Sequence, residues 1–183
     1  MNESYLKGKL ITLRPATMQD RRQVFEWLAH SDLTSSMLGP PHFPENPVPT
    51  WEEFIDDYYE YFFDGSQPES GRCFIIQLNA TPIGQINYNK IYAEERLRFT
   101  ELDIWLADSR YTNKGYGTDA LKTLCHYLHN ELACKKFIIA PARQNIGAVK
   151  AYQKAGFAET SILLPHFIAD YADTVIMIKE IRD

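Results

Sequence analysis

The run Lys114-Gly115-Tyr116-Gly117-Thr118-Asp119-Ala120 carries the clearest chemical signal in this 183-residue chain. Two glycines let the backbone pass close to a ligand and turn without a Cβ penalty. A strand-like segment (101–106) precedes the run and a helix-like one (121–129) follows it. Amides at such a turn and at a helix N-terminus point outward with partial positive charge, which suits a phosphate group. In the preceding segment Glu101 and Asp103 alternate with Leu102 and Ile104. Both carboxylates therefore face one side of that strand. Further back, residues 51–64 mix aromatics (Trp51, Phe54, Tyr58, Tyr59, Tyr61, Phe62, Phe63) with acids (Glu52, Glu53, Asp56, Asp57, Glu60, Asp64) and hold no base. Phe54, Tyr58 and Phe62 fit the inward face of an amphipathic helix, and the acids fit its wet face. His126 and His129 lie one helical turn apart, but no third ligand accompanies them, so no metal site is expected.

The elements that must position these residues fit one domain, residues 1–183, which is long enough for a proper core. The chain is 45% hydrophobic and 23% charged, ordinary for a globular protein. A net charge of −5 argues against a nucleic-acid surface and favours a cationic partner. No apolar run reaches membrane-span length, and residues 1–9 lack the apolar core of a signal peptide. A cytoplasmic protein without a membrane partner is expected. Cys73, Cys125 and Cys134 are odd in number and unpaired in spacing, as for reduced thiols in or near the core.

A strand over 11–14 comes first. The capping pattern Thr17-Met18-Gln19-Asp20 then opens a helix to about His30. Prolines between Gly39 and Pro49 impose a loop. A second capping pattern, Thr50-Trp51-Glu52-Glu53, starts a helix to about Phe63 that Asp64-Gly65 stops. Residues 73–78 and 83–90 form a hairpin, and a longer strand follows over 97–106. After the glycine run come a helix to about Glu131, a strand over 137–140, and a helix over 146–155 ended by Gly156. Strands over 157–164 and 171–179 close the chain. The order β-α-α-β-β-β-α-β-α-β-β gives an α/β (α+β) fold, a mixed sheet with helices packed on it. An exposed terminal hairpin could pair with a second copy, so a monomer or a homodimer is expected.

Three phosphate ligands compete for the glycine run. A nucleotide P-loop places its lysine after the last glycine, whereas Lys114 precedes Gly115. Gly115-x-Gly117-x-x-Ala120 matches the dinucleotide fingerprint. That fingerprint needs an acid at the end of the next strand, which here ends at Ala140-Pro141 without one. The run also comes after four strands and not at the first βα turn. The third reading joins two segments. Residues 111–121 resemble motif A of the GCN5-related N-acetyltransferases (GNAT), in which Arg/Gln-x-x-Gly-x-Gly/Ala binds the pyrophosphate of acetyl-CoA. Asn145-Ile146-Gly147-Ala148-Val149-Lys150-Ala151-Tyr152-Gln153-Lys154-Ala155-Gly156-Phe157 resembles motif B, where an Asn opens a helix, a Tyr follows seven residues on, and a Gly-Phe pair ends it. The close resemblance covers 97–157. Thr112 stands at the Arg/Gln position and Asn113 replaces the glycine beside it, which removes one side-chain contact and leaves the backbone amides. The ribosomal-protein N-terminal acetyltransferases share Leu10-Ile11-Thr12-Leu13-Arg14-Pro15 and the style of the loop. The aminoglycoside 6'-N-acetyltransferases share Glu26-Trp27-Leu28, the Asp103 position and Pro141, yet usually carry an Asp where Ala140 stands.

The resemblance implies a GNAT-like mixed, mostly antiparallel six- to seven-stranded sheet, with four helices packed on both faces and splayed strands at the cofactor site. It implies acetyl-CoA as acyl donor. Ile104, Trp105 and Leu106 would hold the pantetheine arm, and Asn113, Lys114, Gly115, Tyr116, Gly117 and Thr118 the pyrophosphate. Asn145 would contact the pantetheine near the other strand, although it also suits a plain helix cap, and Ala148 joins the cofactor-binding residues. Tyr152 matches the residue that binds cofactor and returns a proton to the departing thiolate. From spacing alone it is a core aromatic on one face with Val149 and Gly156. An alkyl amine is protonated at pH 7, and removing that proton costs roughly 4–5 kcal/mol. A positioned base contributes about 10²–10⁴ in rate. Asp103 is the preferred base and Glu101 the alternative, directly or through water, unless both only line a solvated edge. A strand amide near Leu106 would meet developing negative charge. In the family the second helix borders the acceptor cleft, so Asp56, Asp57 and Glu60 are expected on the substrate rim.

The expected reaction is direct attack, in a ternary complex, by the primary amine of a cationic acceptor: an aminoglycoside, a polyamine or a protein N-terminus. The alternatives are a non-catalytic acyl-CoA-binding regulatory domain and a nucleotide-cofactor oxidoreductase. His166 fits a substrate rim or an ordinary loop equally well.

Overall fold

The computed structural model describes residues 5–38, 48–94, 97–161 and 173–181. The chain opens with β1 (Leu6–Lys7) and β2 (Thr12–Pro15), followed by a 3-10 turn, α1 (Arg21–His30) and α2 (Thr34–Leu38). Then come α3 (Trp51–Asp57), α4 (Tyr61–Asp64), β3 (Arg72–Leu78), β4 (Thr81–Tyr88), β5 (Tyr92–Glu94) and β6 (Leu97–Leu106). The remainder is a second 3-10 turn, α5 (Tyr116–Leu132), β7 (Lys136–Ile139), α6 (Ile146–Ala155), β8 (Ala158–Glu159) and β9 (Met177–Glu180).

One sheet holds the nine strands of the described residues in the order β1-β2-β3-β4-β6-β7-β9-β8, with β5 paired to β6. Among the described residues, every strand pairing is antiparallel except β6 with β7. A parallel neighbour needs a crossover, and α5 supplies it. Helices α5 and α6 pack on one face through Ala120, Leu121, Leu124, Leu128, Tyr152 and Ala155. The opposite face is covered by α1, α3 and α4, whose Val24, Phe25, Phe54, Phe62 and Phe63 meet Cys73, Ile75 and Trp105, with Met37 of α2 beside them.

Both capping patterns form. Asp20 accepts the Thr17 amide at 2.7 Å and the Thr17 hydroxyl at 2.9 Å. Thr50 accepts the Glu53 amide at 3.2 Å while Glu53 accepts the Thr50 amide at 2.8 Å. Four helices were expected, and all four regions are helical. The second is broken, however, and α2 is additional. The break falls at Tyr58, where the backbone leaves helical geometry (φ −101°, ψ 77°). Arg21 reaches in there and donates to the carbonyls of Ile55 and Tyr58. A guanidinium at a helix C-terminus satisfies the carbonyls that end without partners. The short β1, β5 and β8 account for the wider sheet. The terminal hairpin is described only where β8 meets β9; residues 162–172, His166 included, lie outside the described segments.

Candidate functional site

Strands β6 and β7 pair in parallel only from Phe99/Lys136 to Glu101/Ile138. Beyond that point β6 runs on to Leu106 with no described partner on its β7 edge. The direction of its main-chain groups follows from neighbouring bonds. Asn89 donates to the Glu101 carbonyl and Ala107 to the Ile83 carbonyl, while Lys135 donates to the Arg98 carbonyl. Odd-numbered residues of β6 thus turn their N–H and C=O toward β4, and even-numbered ones toward β7. Ile104 and Leu106 present main-chain groups to the gap between the parting strands. Trp105 does not: its main chain faces β4, its Nε1 donates to the Val24 carbonyl at 3.3 Å, and its ring packs on Tyr58. Of the three residues expected along the strand, only its two neighbours face the gap with backbone.

The glycine run closes one end of the gap. Asn113 (φ 58°) and Gly115 (φ 85°) take left-handed backbone conformations that swing the chain from β6 into α5. Asn tolerates that region better than most side-chain-bearing residues. The first intrahelical bond runs from the Asp119 amide to the Gly115 carbonyl, so the amides of Tyr116, Gly117 and Thr118 precede the ladder. With glycine as N-cap, α5 has no side-chain cap, unlike α3 with Thr50 and α6 with Asn145. A Cβ on Gly117 would lie 3.7 Å from Ile104 Cδ1, which sets the helix start beside the end of β6. Asn113 and Lys114 are exposed. Thr118 turns its hydroxyl away to the Ala151 carbonyl at 3.1 Å, linking α5 to α6.

On the other side of the gap, Asn145 uses both ends of its side chain. Oδ1 accepts the Ala148 amide at 3.1 Å, and Nδ2 donates to the Ser36 carbonyl of α2 at 3.2 Å. Its cap role is realised, and that role occupies the amide of Ala148. Tyr152, two turns along α6, is 9% exposed and lies in the same core as α5. The Asp32 carboxylate accepts the Ser109 amide at 2.9 Å, so α1 and α2 are also tied to the chain just past β6.

Glu101 and Asp103 share a face of β6 with Trp105, the face covered by α1 to α4. Both are half-buried. Asp103 Oδ2 accepts from Asn89 Nδ2 at 3.0 Å and from Asn87 Nδ2 at 3.3 Å. The neighbouring Gln85 and Asn87 are fully buried, and Gln85 Nε2 and Asn87 Oδ1 have no partner among the described residues. A polar strip thus crosses β4 and β6 beneath the helices. Gln85, Asn87 and Asn89 were missed in the sequence, although the alternation Gln85-Ile86-Asn87-Tyr88-Asn89 carries the signal.

The acids of the rim are exposed. Asp56 and Glu60, with Asp64, Tyr59, Gln67 and Arg21, line a surface cavity at the break between α3 and α4; Asp57 does not. Asp56 sits on the side of α3 opposite Phe54 and Tyr58. The histidine pair binds within its own neighbourhood: His126 meets Asn130 and His129 meets the Cys134 carbonyl. No group of three potential metal ligands occurs among the described residues.

A family model described as an acetyltransferase (GNAT) domain matches residues 11–158. Among characterised proteins, the chain is 27% identical over 162 residues to an aminoglycoside N(6')-acetyltransferase type 1 of Klebsiella pneumoniae, covering 80% of this chain and 73% of that one. It is 32% identical over 80 residues to a spermine/spermidine N(1)-acetyltransferase of Bacillus subtilis, covering 44% of this chain and 49% of that one. The fold also matches the crystal structure of an aminoglycoside acetyltransferase in complex with coenzyme A and kanamycin. The TM-score is 0.65 at 24% identity, over 93% of this chain and 94% of the other.

Proposed function

The chain belongs to the GNAT acetyltransferase family, and we propose that it transfers an acetyl group from acetyl-CoA to the primary amine of a small cationic acceptor. The observation that carries this reading is the parting of β6 from β7 toward an uncapped helix N-terminus. The residues there fit the donor. Ile104 and Leu106 offer main-chain donors and acceptors to an amide-bearing arm. Tyr116, Gly117 and Thr118 offer three amides to a pyrophosphate, with Lys114 beside them. When bound, acetyl-CoA supplies the thioester whose acyl carbon the amine attacks.

The protein's own groups then divide the proton traffic. Asp103, held by Asn87 and Asn89, takes the proton from the acceptor amine, with Glu101 two residues along the same face. Tyr152 gives its phenolic proton to the leaving sulfur and is reprotonated, directly or through water, by the second proton that the nitrogen sheds on becoming an amide. The Leu106 amide faces the gap, where negative charge on the acyl oxygen develops.

The cationic acceptor is supported by the carboxylates on the α1–α4 face, the net charge of −5, and relatives that acetylate aminoglycosides and polyamines. Asp56, Asp57 and Glu60 extend the negative field along α3 and α4, partly offset by Arg21 in the same cavity. The test is a panel of aminoglycosides, polyamines, amino-terminal peptides and neutral amines, mixed with protein and acetyl-CoA and followed by release of CoA thiol. The protein's own thiols are buried, and burial pushes Cys125 up to about 12 and Cys134 up to about 11, so the thiol signal is CoA. Turnover of aminoglycosides or polyamines with little for neutral amines is expected. The triple variant Asp56→Asn, Asp57→Asn, Glu60→Gln should raise KM for the preferred amine several-fold. Equal turnover of neutral amines would remove the charge argument.

A further inference from the structure

Asp119 is the acid of the glycine run, and the proton traffic gives it no part. Its side chain is nonetheless heavily engaged. The carboxylate belongs to a residue only 8% exposed, and it accepts three main-chain amides from a segment far away in sequence. Lys9 donates to Oδ1 at 3.1 Å, while Leu10 and Ile11 donate to Oδ2 at 2.6 Å and 3.1 Å. Those amides belong to the turn between β1 and β2. Three donors satisfy a buried carboxylate without a counter-cation. The positive end of the α5 dipole lies alongside.

Two further contacts show how closely the turn sits on the helix start. A Cβ on Gly8 would stand 2.5 Å from Asp119 Oδ2 and 2.8 Å from Thr123 Oγ1, so a methyl group there would have to displace the carboxylate. On the outer side, Leu10 Cδ1 reaches within 3.4 Å of where a Gly115 Cβ would be. The turn is thus fastened to the first turn of α5 and leans against the glycine that opens it.

We propose that Asp119 is a positioning residue for the donor site. By clamping the β1–β2 turn onto α5, it fixes the direction of the Tyr116, Gly117 and Thr118 amides. This rests on the reading of those amides as the acetyl-CoA pyrophosphate site. Asp119→Asn keeps the shape but replaces one acceptor oxygen with an NH2 donor. Whichever way the amide turns, at least one of the Lys9, Leu10 and Ile11 amides then faces a donor. The clamp loosens, and the helix amides lose their fixed aim.

The test is calorimetric titration of CoA into wild type, Asp119→Asn and Gly8→Ala, with steady-state kinetics in parallel. For Asp119→Asn, Kd for CoA and KM for acetyl-CoA should rise together by about tenfold. In the same variant kcat at saturating donor and KM for the acceptor should change by less than about twofold. Gly8→Ala, which pushes the carboxylate aside sterically, should shift the same two constants. A purely structural role lowers the melting temperature and the active fraction but leaves Kd untouched. Folded Asp119→Asn with wild-type Kd for CoA overturns the proposal. If that variant does not fold, Gly8→Ala decides by the same criterion. Failure of the wild type to bind CoA is a different result: it removes the donor-site reading and this inference with it.

Discussion

At the scale of single residues, the proposed chemistry assigns a proton to Asp103 and to Tyr152, and each assignment has a separable test. Asp103→Asn can keep the hydrogen bonds from Asn87 and Asn89 through its carbonyl oxygen, yet it cannot take a proton. Its kcat with the preferred amine should fall by about 10²–10⁴ with CoA affinity retained. Tyr152→Phe should also lower kcat while leaving acceptor KM in place. A kcat within about twofold of wild type in Asp103→Asn would pass the base role to Glu101 or to water. The common face of Glu101 and Asp103 was legible from alternation alone. The asparagines that hold Asp103 lie in an equally visible alternation, but their meeting depends on the register Asn87↔Asp103, which pattern does not specify. The partners of Asp119 lie 108 to 110 positions away, and no local pattern reports contacts at that separation.

At the scale of elements, the start of α5 is the proposed donor site, and its two glycines do different work. Gly115 has φ 85°, where a side chain costs about 1–2 kcal/mol. Gly117 is helical, and a methyl group there meets Ile104 Cδ1 only at 3.7 Å. Gly115→Ala should therefore lower the melting temperature by a few degrees, and Gly117→Ala should hold or raise it. Both should weaken CoA binding, the first by moving the amides and the second by placing a methyl group where the ligand approaches. Thermal melts and titration of the two variants check this; Gly115→Ala with unchanged Tm would contradict the left-handed turn. Glycine punctuation, the capping patterns of Thr17 and Thr50, and the Asn145 cap made these elements legible. The break at Tyr58 was not, because its cause is Arg21 arriving from another helix. The β1–β2 turn was likewise invisible as part of the site, since its docking on α5 depends on tertiary contact.

At the scale of the whole molecule, the sheet divides the labour. One face carries α5, whose start holds the glycine run, and α6, whose Tyr152 packs in the same core. The other carries the polar strip and the acid-rich helices. The one parallel pairing among the described residues, β6 with β7, lies inside the sheet, with paired strands on both sides of it. Element order and fold class could be read from the chain, because hydrophobic periods and turn residues are local. The point of parting could not, because it depends on where a ladder stops. Hydrogen exchange at single-amide resolution shows whether this parting holds acetyl-CoA, as proposed. On adding CoA, the amides of Ile104, Leu106, Tyr116, Gly117 and Thr118 should become protected, while that of Trp105, already turned to β4, should not change. CoA binding that leaves Ile104 and Leu106 exchanging as before, or that protects amides on the α1–α4 face instead, would place the donor elsewhere.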